Sequence, residues 1–297
     1  VFGGFVTEDY LQAKYPSDIQ DDQLWVNGSV CPNKDLMADI LALDFNEALF
    51  DEDENIIAFR SGNFEESLDC EKSYTDVSFT HILNSWDIFS KNGVEIKSDF
   101  DLITEGRVSQ KANSTNTILG ENNVFIEEGA TVSCAIINAE SGPVYIGKDA
   151  VVMEGSIIRG PFALCESSHT KLGAKIYGPT TVGPHSKVGG ELNNVVIFGY
   201  TNKGHDGFLG NSVLGEWCNI GADSNNSNLK NNYAEVKLWD YETGRFKLTG
   251  LQFCGLVMGD HSKCGINTMF NTGTVVGVSA NIFGAGFPRN FIPSFSW

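Results

Sequence analysis

VYIGKDAVVMEGSIIRGPFALCESSHTKLGAKIYGPTTVGPHSKVGG, residues 144–190, carries an aliphatic side chain at almost every sixth position. The positions counted in sixes are Ile146, Val152, Ile158, Leu164, Thr170, Ile176, Val182 and Val188. A helix repeats every 3.6 residues and a simple strand every two, so this period belongs to neither. It is typical of a parallel β-helix, in which each triangular coil has three short faces and one side chain per face points inward.

The same period returns twice further along the chain. One block has Phe208, Leu214 and Ile220, which we expect to pack the interior, and the other has Met258, Cys264, Phe270, Val276 and Ile282. Between them, residues 224–253 break the pattern with the alternating stretch AEVKLWDYETGRFKLTG. This stretch predicts a β-hairpin thrown out from the prism, and an insertion at a coil corner commonly lies near a binding cleft.

Residues 1–105 follow a different pattern, that of a mixed α/β domain. DQLWVNGSV (22–30) and ENIIAFRSG (54–62) predict strands, and NKDLMADILAL (33–43) predicts a helix capped by Asn33. Residues 76–103 are expected to begin as a helix and end extended. The pieces amount to an incomplete α/β domain at 1–105, followed by a β-helix at 106–297 with its insertion at 224–253.

Composition excludes some classes of function. The net charge of −18 argues against nucleic acid or an anionic membrane as the main partner, and no apolar run is long enough to span a bilayer. Seven widely spaced cysteines without a CxxC pair favour thiols in a reducing cytoplasm over a disulfide framework or a metal site. The chain starts at Val1 and stops on an aromatic residue, so we expect further residues at both ends.

His205 is the candidate for chemistry. It stands in NKGHDGFLGNSVLGEWCNIG (202–221), three residues before the expected interior position of Phe208, which predicts a corner or surface location. Two interpretations stay open on spacing alone. One is an exposed or structurally bonded histidine, and the other is a general base, since the imidazole pKa lies nearest neutrality.

The stretch NKGHDGFLGNSVLGEWCNIGADSNNSNLKNNY (202–233) resembles the acetyltransferase half of a bifunctional family, the N-acetylglucosamine-1-phosphate uridyltransferase/glucosamine-1-phosphate N-acetyltransferases. Residues 106–297 carry most of the resemblance, and Glu191 to Asn228 is its specific part. The resemblance implies a left-handed β-helix, a homotrimer with sites between adjacent prisms, and acetyl transfer from acetyl-CoA to an amino-sugar phosphate. Such a reaction serves nucleotide-sugar synthesis for the cell envelope.

The resemblance also assigns roles to residues. His205 would take a proton from the attacking amine, and Glu191, fourteen residues upstream, would orient it. Asn219 would contact the ligand, or only stack at a turn. The Ala222 N–H would face the developing oxyanion, and Asn228 would lie in the active-site loop. Glu191 could equally be a surface residue.

The sequence departs from the family pattern at the sugar site. Phe208 stands where the family has an aromatic hydroxyl, and Asn193 where it has a basic residue. Other cations are then needed for a sugar phosphate. The candidates are Lys175, Lys203 and Lys230. Arg289 resembles an arginine that meets the CoA phosphates, or is a surface charge.

The N-terminal part resembles the family's nucleotidyltransferase domain more weakly. Ser29 stands where the family has an aspartate that binds Mg²⁺, and a hydroxyl is a poor substitute for a carboxylate on that ion. Mg²⁺ is therefore expected only if this half is active. The family's Gly-rich nucleotide loop would lie before Val1.

Three hypotheses compete. The leading one is an amino-sugar-phosphate N-acetyltransferase that transfers the acetyl group directly, fused to a sugar-nucleotidyltransferase-like domain. The second keeps nucleotidyl transfer as the activity, with the β-helix serving assembly. The third is a non-catalytic binding protein. A zinc enzyme on the β-helix is disfavoured, because no two of the five histidines stand within ten residues of each other.

Overall fold

The computed structural model describes residues 22–62 and 69–297. The chain divides into two compact units between Leu83 and Asn84, and each is described by itself. This division lies earlier than the domain boundary expected at residue 105, because the segment after Asn84 packs on the β-helix, as shown below. The predictions that fall on residues 1–21 and 63–68 lie outside the described residues.

The first unit is a small α/β arrangement. Its elements are β1 (Gln23–Val26), β2 (Val30–Cys31), α1 (Lys34–Ala42), β3 (Glu47–Phe50), β4 (Ile56–Ser61), β5 (Glu71–Tyr74) and β6 (Thr80–His81). The sheet order is β1-β4-β3-β5, in which β3 and β5 are parallel and the other pairs antiparallel. The predicted cap of α1 is confirmed, since the Asn33 side chain accepts from the Leu36 N–H at 2.9 Å.

The second unit is a parallel β-solenoid with three faces, as the period of six predicts. Face A comprises β7 (Thr117–Leu119), β10 (Ile136–Asn138), β13 (Ile157–Arg159), β16 (Lys175–Tyr177), the first halves of β19 (Glu191–Ile197) and β21 (Phe208–Leu214), β23 (Asn225–Asn226) and β28 (Met269–Phe270). Face B comprises β8 (Val124–Ile126), β11 (Val144–Ile146), β14 (Phe162–Leu164), β17 (Thr180–Val182), the second halves of β19 and β21, β26 (Leu256–Met258), β29 (Thr274–Val276) and β31 (Phe291–Ile292). Face C comprises β9 (Thr131–Val132), β12 (Val151–Val152), β15 (His169–Thr170), β18 (Lys187–Val188), β20 (Asn202–Lys203), β22 (Asn219–Ile220), β27 (Lys263–Cys264) and β30 (Asn281–Ile282).

Each face sends one column of side chains into the interior, where each residue stacks on its neighbour one coil away. All the aliphatic positions counted in sixes from Ile146 are buried. Face C departs from the aliphatic pattern at Thr170, Lys203 and Cys264, and Lys203 stacks on Val188. On face A, Asn226 holds the inward position opposite Phe270.

The expected interior position of Phe208 is wrong. Leu209 is buried and pairs with Leu192, whereas Phe208 is only half-buried and faces outward. The cause lies at the corner between faces A and B. Strand β21 continues around this corner, and Asn211, whose φ is 48°, makes the turn. The step from the inward residue Leu209 to the next inward residue Leu214 is therefore five positions rather than six.

Residues 76–103 form the reverse of what was expected. They begin with the short strand β6 and continue into helix α2 (Asp87–Thr104). Phe89 and Ile96, seven residues apart, are buried on one side of this helix. The helix contacts β17, β19 and β21 on the outside of face B, so the solenoid supplies the apolar partner that the helix needs.

The predicted hairpin is confirmed as β24 (Lys237–Asp240) and β25 (Arg245–Leu248), which pair antiparallel. It is not thrown out from the prism. Val236 and Leu238 are fully buried and belong to one apolar cluster with Phe89 of α2 and with Val213 and Val275 of face B. Helix and hairpin together therefore cover part of the outer surface of face B.

Candidate functional site

His205 lies on the corner between faces C and A, in the loop that joins β20 to β21. Its side chain is exposed, as the spacing predicts. The loop is held from one side, because the Phe208 N–H donates to the Asn225 side chain at 2.7 Å and the Asp223 N–H donates to the Asp206 carbonyl at 3.1 Å. The imidazole is therefore open to solvent on a loop whose backbone the following coil anchors, and a positioned, accessible imidazole can act as a general base.

Lys203 does not lie on the surface that a phosphate-binding cation needs. It is 1% exposed and its side chain enters the prism. Its Nζ donates to the Gly189 carbonyl at 3.0 Å and to the His205 carbonyl. Burial lowers the pKa of Lys203 to about 8. The role predicted for this residue, direct contact with the substrate phosphate, is therefore corrected by its inward position.

A small cavity adjoins Lys203 inside the prism. Its volume is about 10 Å³, close to what one water molecule occupies, and Phe208, Ser224 and Asn226 are among the residues that line it. The Asn226 amide exchanges two hydrogen bonds with the backbone of Gly210, at 2.8 and 3.0 Å. Two of the inward side chains near the His205 loop, Lys203 and Asn226, are therefore polar, whereas most inward side chains of the coils before it are aliphatic.

The outer surface of face A brings three predicted residues into one row. Lys175, Glu191 and Phe208 are direct partners on successive strands, so their side chains point outward side by side. The positions of Lys175 and Glu191 on adjacent strands place opposite charges next to each other. A phosphate that binds Lys175 would have to share it with Glu191.

Asn228 joins this group from the corner between faces A and B. Its amide donates to the Asn211 side chain at 2.8 Å and lies over Gly210, beside the ring of Phe208. A side chain on Gly210 would collide with that ring and that amide. Because Gly210 has no side chain, the Phe208 ring and the Asn228 amide can lie beside each other over its backbone.

Glu191 lies one coil before His205, and the backbone of the His205 loop runs next to Gly190. Among the described residues, no hydrogen bond joins the side chains of Glu191 and His205. The orienting role of Glu191 stays a prediction, since a base-and-orienter pair requires that bond during the reaction.

Asn219 and Ala222 lie on the next coil. The Asn202 amide donates to the Asn219 side chain at 3.0 Å on the outside of face C, so Asn219 stacks on its neighbour within the strands β20 and β22 and not at a turn. Ala222 follows β22 at the same corner as His205, one coil on, and the bond from Asp223 to Asp206 holds the two corners together. Their predicted contacts with acetyl-CoA stay predictions.

Lys230 and Arg289 lie away from this corner in the chain path. The Lys230 ammonium donates to the Glu235 carbonyl at 2.7 Å, where the hairpin insertion begins. Arg289 is exposed in the segment that precedes β31. Their predicted contacts with the sugar phosphate and with the CoA phosphates stay predictions.

Three basic side chains that the sequence reasoning missed lie near His205. His169 and Lys187 are outward partners on adjacent strands of face C, and the stem of Lys171 runs along Gly189 towards Gly204. Burial, with the charges of Lys187 and Lys171, lowers the pKa of His169. The strand register could have revealed Lys171. Lys171 follows the inward residue Thr170, and Gly204 follows the inward residue Lys203 of the same column, so the two residues lie at the same corner two coils apart.

Burial disfavours the reactive thiolate form of three cysteines. Burial raises the pKa of Cys165 and Cys254 to about 12 and that of Cys218 to about 11. In the described parts of the chain, no three His, Cys, Asp or Glu side chains gather to hold a metal ion.

Ser29 in the first unit is engaged in hydrogen bonds. Its hydroxyl lies 2.7 Å from the Asn27 side chain and 2.7 Å from His81 Nε2. The imidazole of His81 in turn lies 3.9 Å from the Asp51 carboxylate. These contacts close the turn between β1 and β2, where the family aspartate would bind Mg²⁺, and they leave one uncharged oxygen at that position.

Comparison with known proteins gives one family match. Residues 3–108 match the family model described as sugar nucleotidyl transferase, which covers less than half of the chain. No curated protein matches the sequence. The match concerns nucleotidyl transferases and not the bifunctional family specifically, so membership in that family stays a prediction.

Solved structures with some likeness include a hexapeptide transferase family protein from Anaplasma phagocytophilum, with 18% identity, a TM-score of 0.29, and coverage of 58% of this chain and 75% of that one. The UDP-N-acetylglucosamine acyltransferase of Francisella novicida has 13% identity, a TM-score of 0.29, and coverage of 62% and 64%. The UDP-N-acetylglucosamine acyltransferase of Campylobacter jejuni has 15% identity and a TM-score of 0.18, and the match covers 55% of this chain and 68% of that one.

The described helices include none with the length and apolar character required to cross a membrane.

Proposed function

We propose that the chain is an acyltransferase that moves an acetyl group from acetyl-CoA to the amine of an amino-sugar phosphate, with glucosamine 1-phosphate as the first substrate to test. The observation that carries the proposal is the exposed side chain of His205 on a loop that neighbouring coils hold in place. An imidazole in that setting can remove a proton near neutral pH.

In this reaction the sugar amine attacks the thioester directly. His205 takes a proton from the sugar amine as the nitrogen attacks the thioester carbonyl, and the C–N bond forms. The tetrahedral intermediate collapses, the C–S bond breaks, and the CoA sulfur leaves and receives a proton. The Ala222 N–H is the proposed donor to the oxyanion, since its corner adjoins the corner of His205.

The sugar phosphate needs cations near this corner. Lys175 on face A and Lys171 beside Gly204 are the proposed partners, because both side chains lie within one or two coils of the His205 loop. Lys187 and His169 extend the same basic surface along face C. The three lysines form a local positive patch on a chain whose net charge is −18, while the lowered pKa of His169 leaves that imidazole neutral near pH 7.

We also propose that the chain acts as a homotrimer in the cytoplasm, with face A as the contact between copies. Ile136 and Ile157 are about half exposed on the outside of this face, next to Leu119 and Tyr177. Such a patch is typical of an interaction surface. Light scattering should give a trimer for the wild type and a smaller species for Ile157→Asp.

The test is a thiol-release assay with acetyl-CoA, the longest natural form of the chain and a panel of amino-sugar 1-phosphates. We expect turnover with one sugar and a fall of about 10²–10⁴-fold for His205→Ala. His261→Ala is the matched control, because His261 is also exposed but stacks on Trp217. Absence of CoA release with every sugar would sink the proposal.

A second candidate function is sugar nucleotidyl transfer. The family match over residues 3–108 favours it. The neutral Ser29 at the expected metal position speaks against it. Release of pyrophosphate that depends on Mg²⁺, measured with the same protein and a sugar 1-phosphate, would make this the principal activity if acetyl transfer is absent. Absence of both activities would leave a non-catalytic binding role.

A further inference from the structure

Lys203 occupies a position that costs free energy. The inward column of face C is otherwise formed by aliphatic, threonine or cysteine side chains, from Val132 to Ile282. A buried ammonium loses its hydration, and the compensation must come from hydrogen bonds or opposite charges. Since a leucine or valine would fill the column, packing alone does not explain a lysine here.

The hydrogen bonds of Lys203 point to its purpose. Its Nζ reaches the carbonyls of Gly189 and His205, which belong to consecutive coils at the same corner. The bond to His205 holds the loop from inside the prism. The bonds from Phe208 to Asn225 and from Asp223 to Asp206 hold it from the following coil. The loop is therefore fixed on two sides while its imidazole faces solvent.

We infer that Lys203 is a positioning residue that fixes the backbone of His205 from the interior of the β-helix and so sets the direction of the imidazole. This inference rests on the proposed function for its effect on catalysis. Its effect on the loop does not depend on any activity. An ammonium suits the task because one atom carries three donors and can serve two carbonyls on different coils at once.

The corner explains how a buried lysine and an exposed histidine stand so close in the sequence. Lys203 and His205 are two residues apart, so one points into the prism and the other leaves it at the corner. Only glycine separates them, and the Gly204 position lies close to the Asn202 side chain. The inward lysine and the outward histidine thus act on the same short piece of backbone.

Lys203→Met is the test variant, because methionine has nearly the same length and is apolar. Thr170→Val is the matched control, since it also makes an inward polar position of face C apolar, but its hydroxyl bonds to Ser156 and not to the loop. Two measurements are made on both variants: amide hydrogen exchange of residues 204–208, and the steady-state kinetics of acetyl transfer.

For Lys203→Met we expect faster exchange in residues 204–208 by about tenfold or more, the effect of losing a hydrogen bond from a charged donor. We also expect kcat to fall about tenfold or more while KM for acetyl-CoA changes less than about twofold, the pattern of a misplaced base. Thr170→Val should leave both unchanged. Wild-type exchange in residues 204–208 of Lys203→Met would overturn the inference.

The two proposals fail separately. If the wild type transfers no acetyl group, the function is wrong, and the exchange measurement still decides whether Lys203 holds the loop. If the wild type is active and Lys203→Met loosens the loop but keeps the wild-type kcat, the positioning role in catalysis is wrong and the acetyltransferase proposal stands.

Discussion

Leu209 stacks on Leu192 inside the β-helix, while Phe208, one residue before it, turns outward to Asn228. The two neighbours therefore have opposite tasks. Leu209 belongs to the interior column of face A, and Phe208 belongs to the surface that faces the proposed substrate.

Replacing these two residues should separate stability from function. Leu209→Ala leaves a cavity in a closed interior, so the free energy of unfolding should fall by about 2–5 kcal/mol. Phe208→Ala should cost less stability and reduce sugar binding, seen as a rise in KM for the sugar. Denaturant unfolding and kinetics on both variants check this. A larger loss of stability for Phe208→Ala would contradict the assignment of the interior position.

A second prediction concerns pH. The pKa of Lys203 falls from 10.5, the ordinary value of a solvated lysine, to about 8 in the fold, because burial disfavours the charged form. Between these values the unfolded chain binds more protons than the folded one, so rising pH stabilises the fold. The free energy of unfolding of the wild type, measured relative to Lys203→Met, should therefore rise from about pH 8 to 10.5 by roughly 3 kcal/mol at most.

Below about pH 8 the lysine is charged in both states, and the difference between wild type and Lys203→Met should stay level. The comparison with the variant removes the contributions of the other lysines and tyrosines that titrate in the same range. A flat difference across pH 7–11 would mean that Lys203 keeps an ordinary pKa in the fold.

A third prediction concerns the end of the His205 loop. Gly207 has φ of 117°, and a Cβ there would collide with the Ser224 carbonyl. Gly173 has φ of 67° and open space around it. Gly173→Ala should therefore cost only the usual penalty of a left-handed residue, about 1–2 kcal/mol. Gly207→Ala should cost more and abolish acetyl transfer. Equal thermal stability of the two variants would contradict the close approach of the coils.

A fourth prediction concerns the helix on face B. Phe89 is 1% exposed in the cluster between α2, the hairpin and the solenoid, whereas Val94 on the same helix is 65% exposed. Phe89→Ala should lower the free energy of unfolding by about 3–5 kcal/mol. Val94→Ala should change it by less than about 0.5 kcal/mol. Similar values for both would mean that the helix does not pack on the solenoid in solution.

The solenoid could be predicted from the sequence because its signal is periodic and repeats in three blocks. The exposed corner position of His205 is confirmed, although it was counted from Phe208 and the interior residue is Leu209. The count failed at Phe208, because Asn194 and Asn211 turn their corners inside continuous strands and shorten the spacing to five. The left-handed backbone conformation of these two asparagines cannot be recognised from the spacing of apolar residues.

The remaining errors have a different cause. The inward position of Lys203 was missed because a lysine is normally read as a surface charge, and only the register of β20 against β18 reveals its direction. The helix at Asp87–Thr104 was misplaced because its apolar side is narrow, with Phe89 and Ile96 two turns apart. Its stability comes from face B, a partner that local sequence does not contain.

Helix α2 also affects the order in which the molecule comes apart. A stack of coils that touch only their neighbours frays from its ends, one coil after another. Here a single rigid rod braces three consecutive coils, because α2 contacts β17, β19 and β21. Under heat or mechanical tension, the outermost coils should therefore unfold first. The three coils that α2 contacts, with the His205 loop at their edge, should be the last part of the solenoid to unfold.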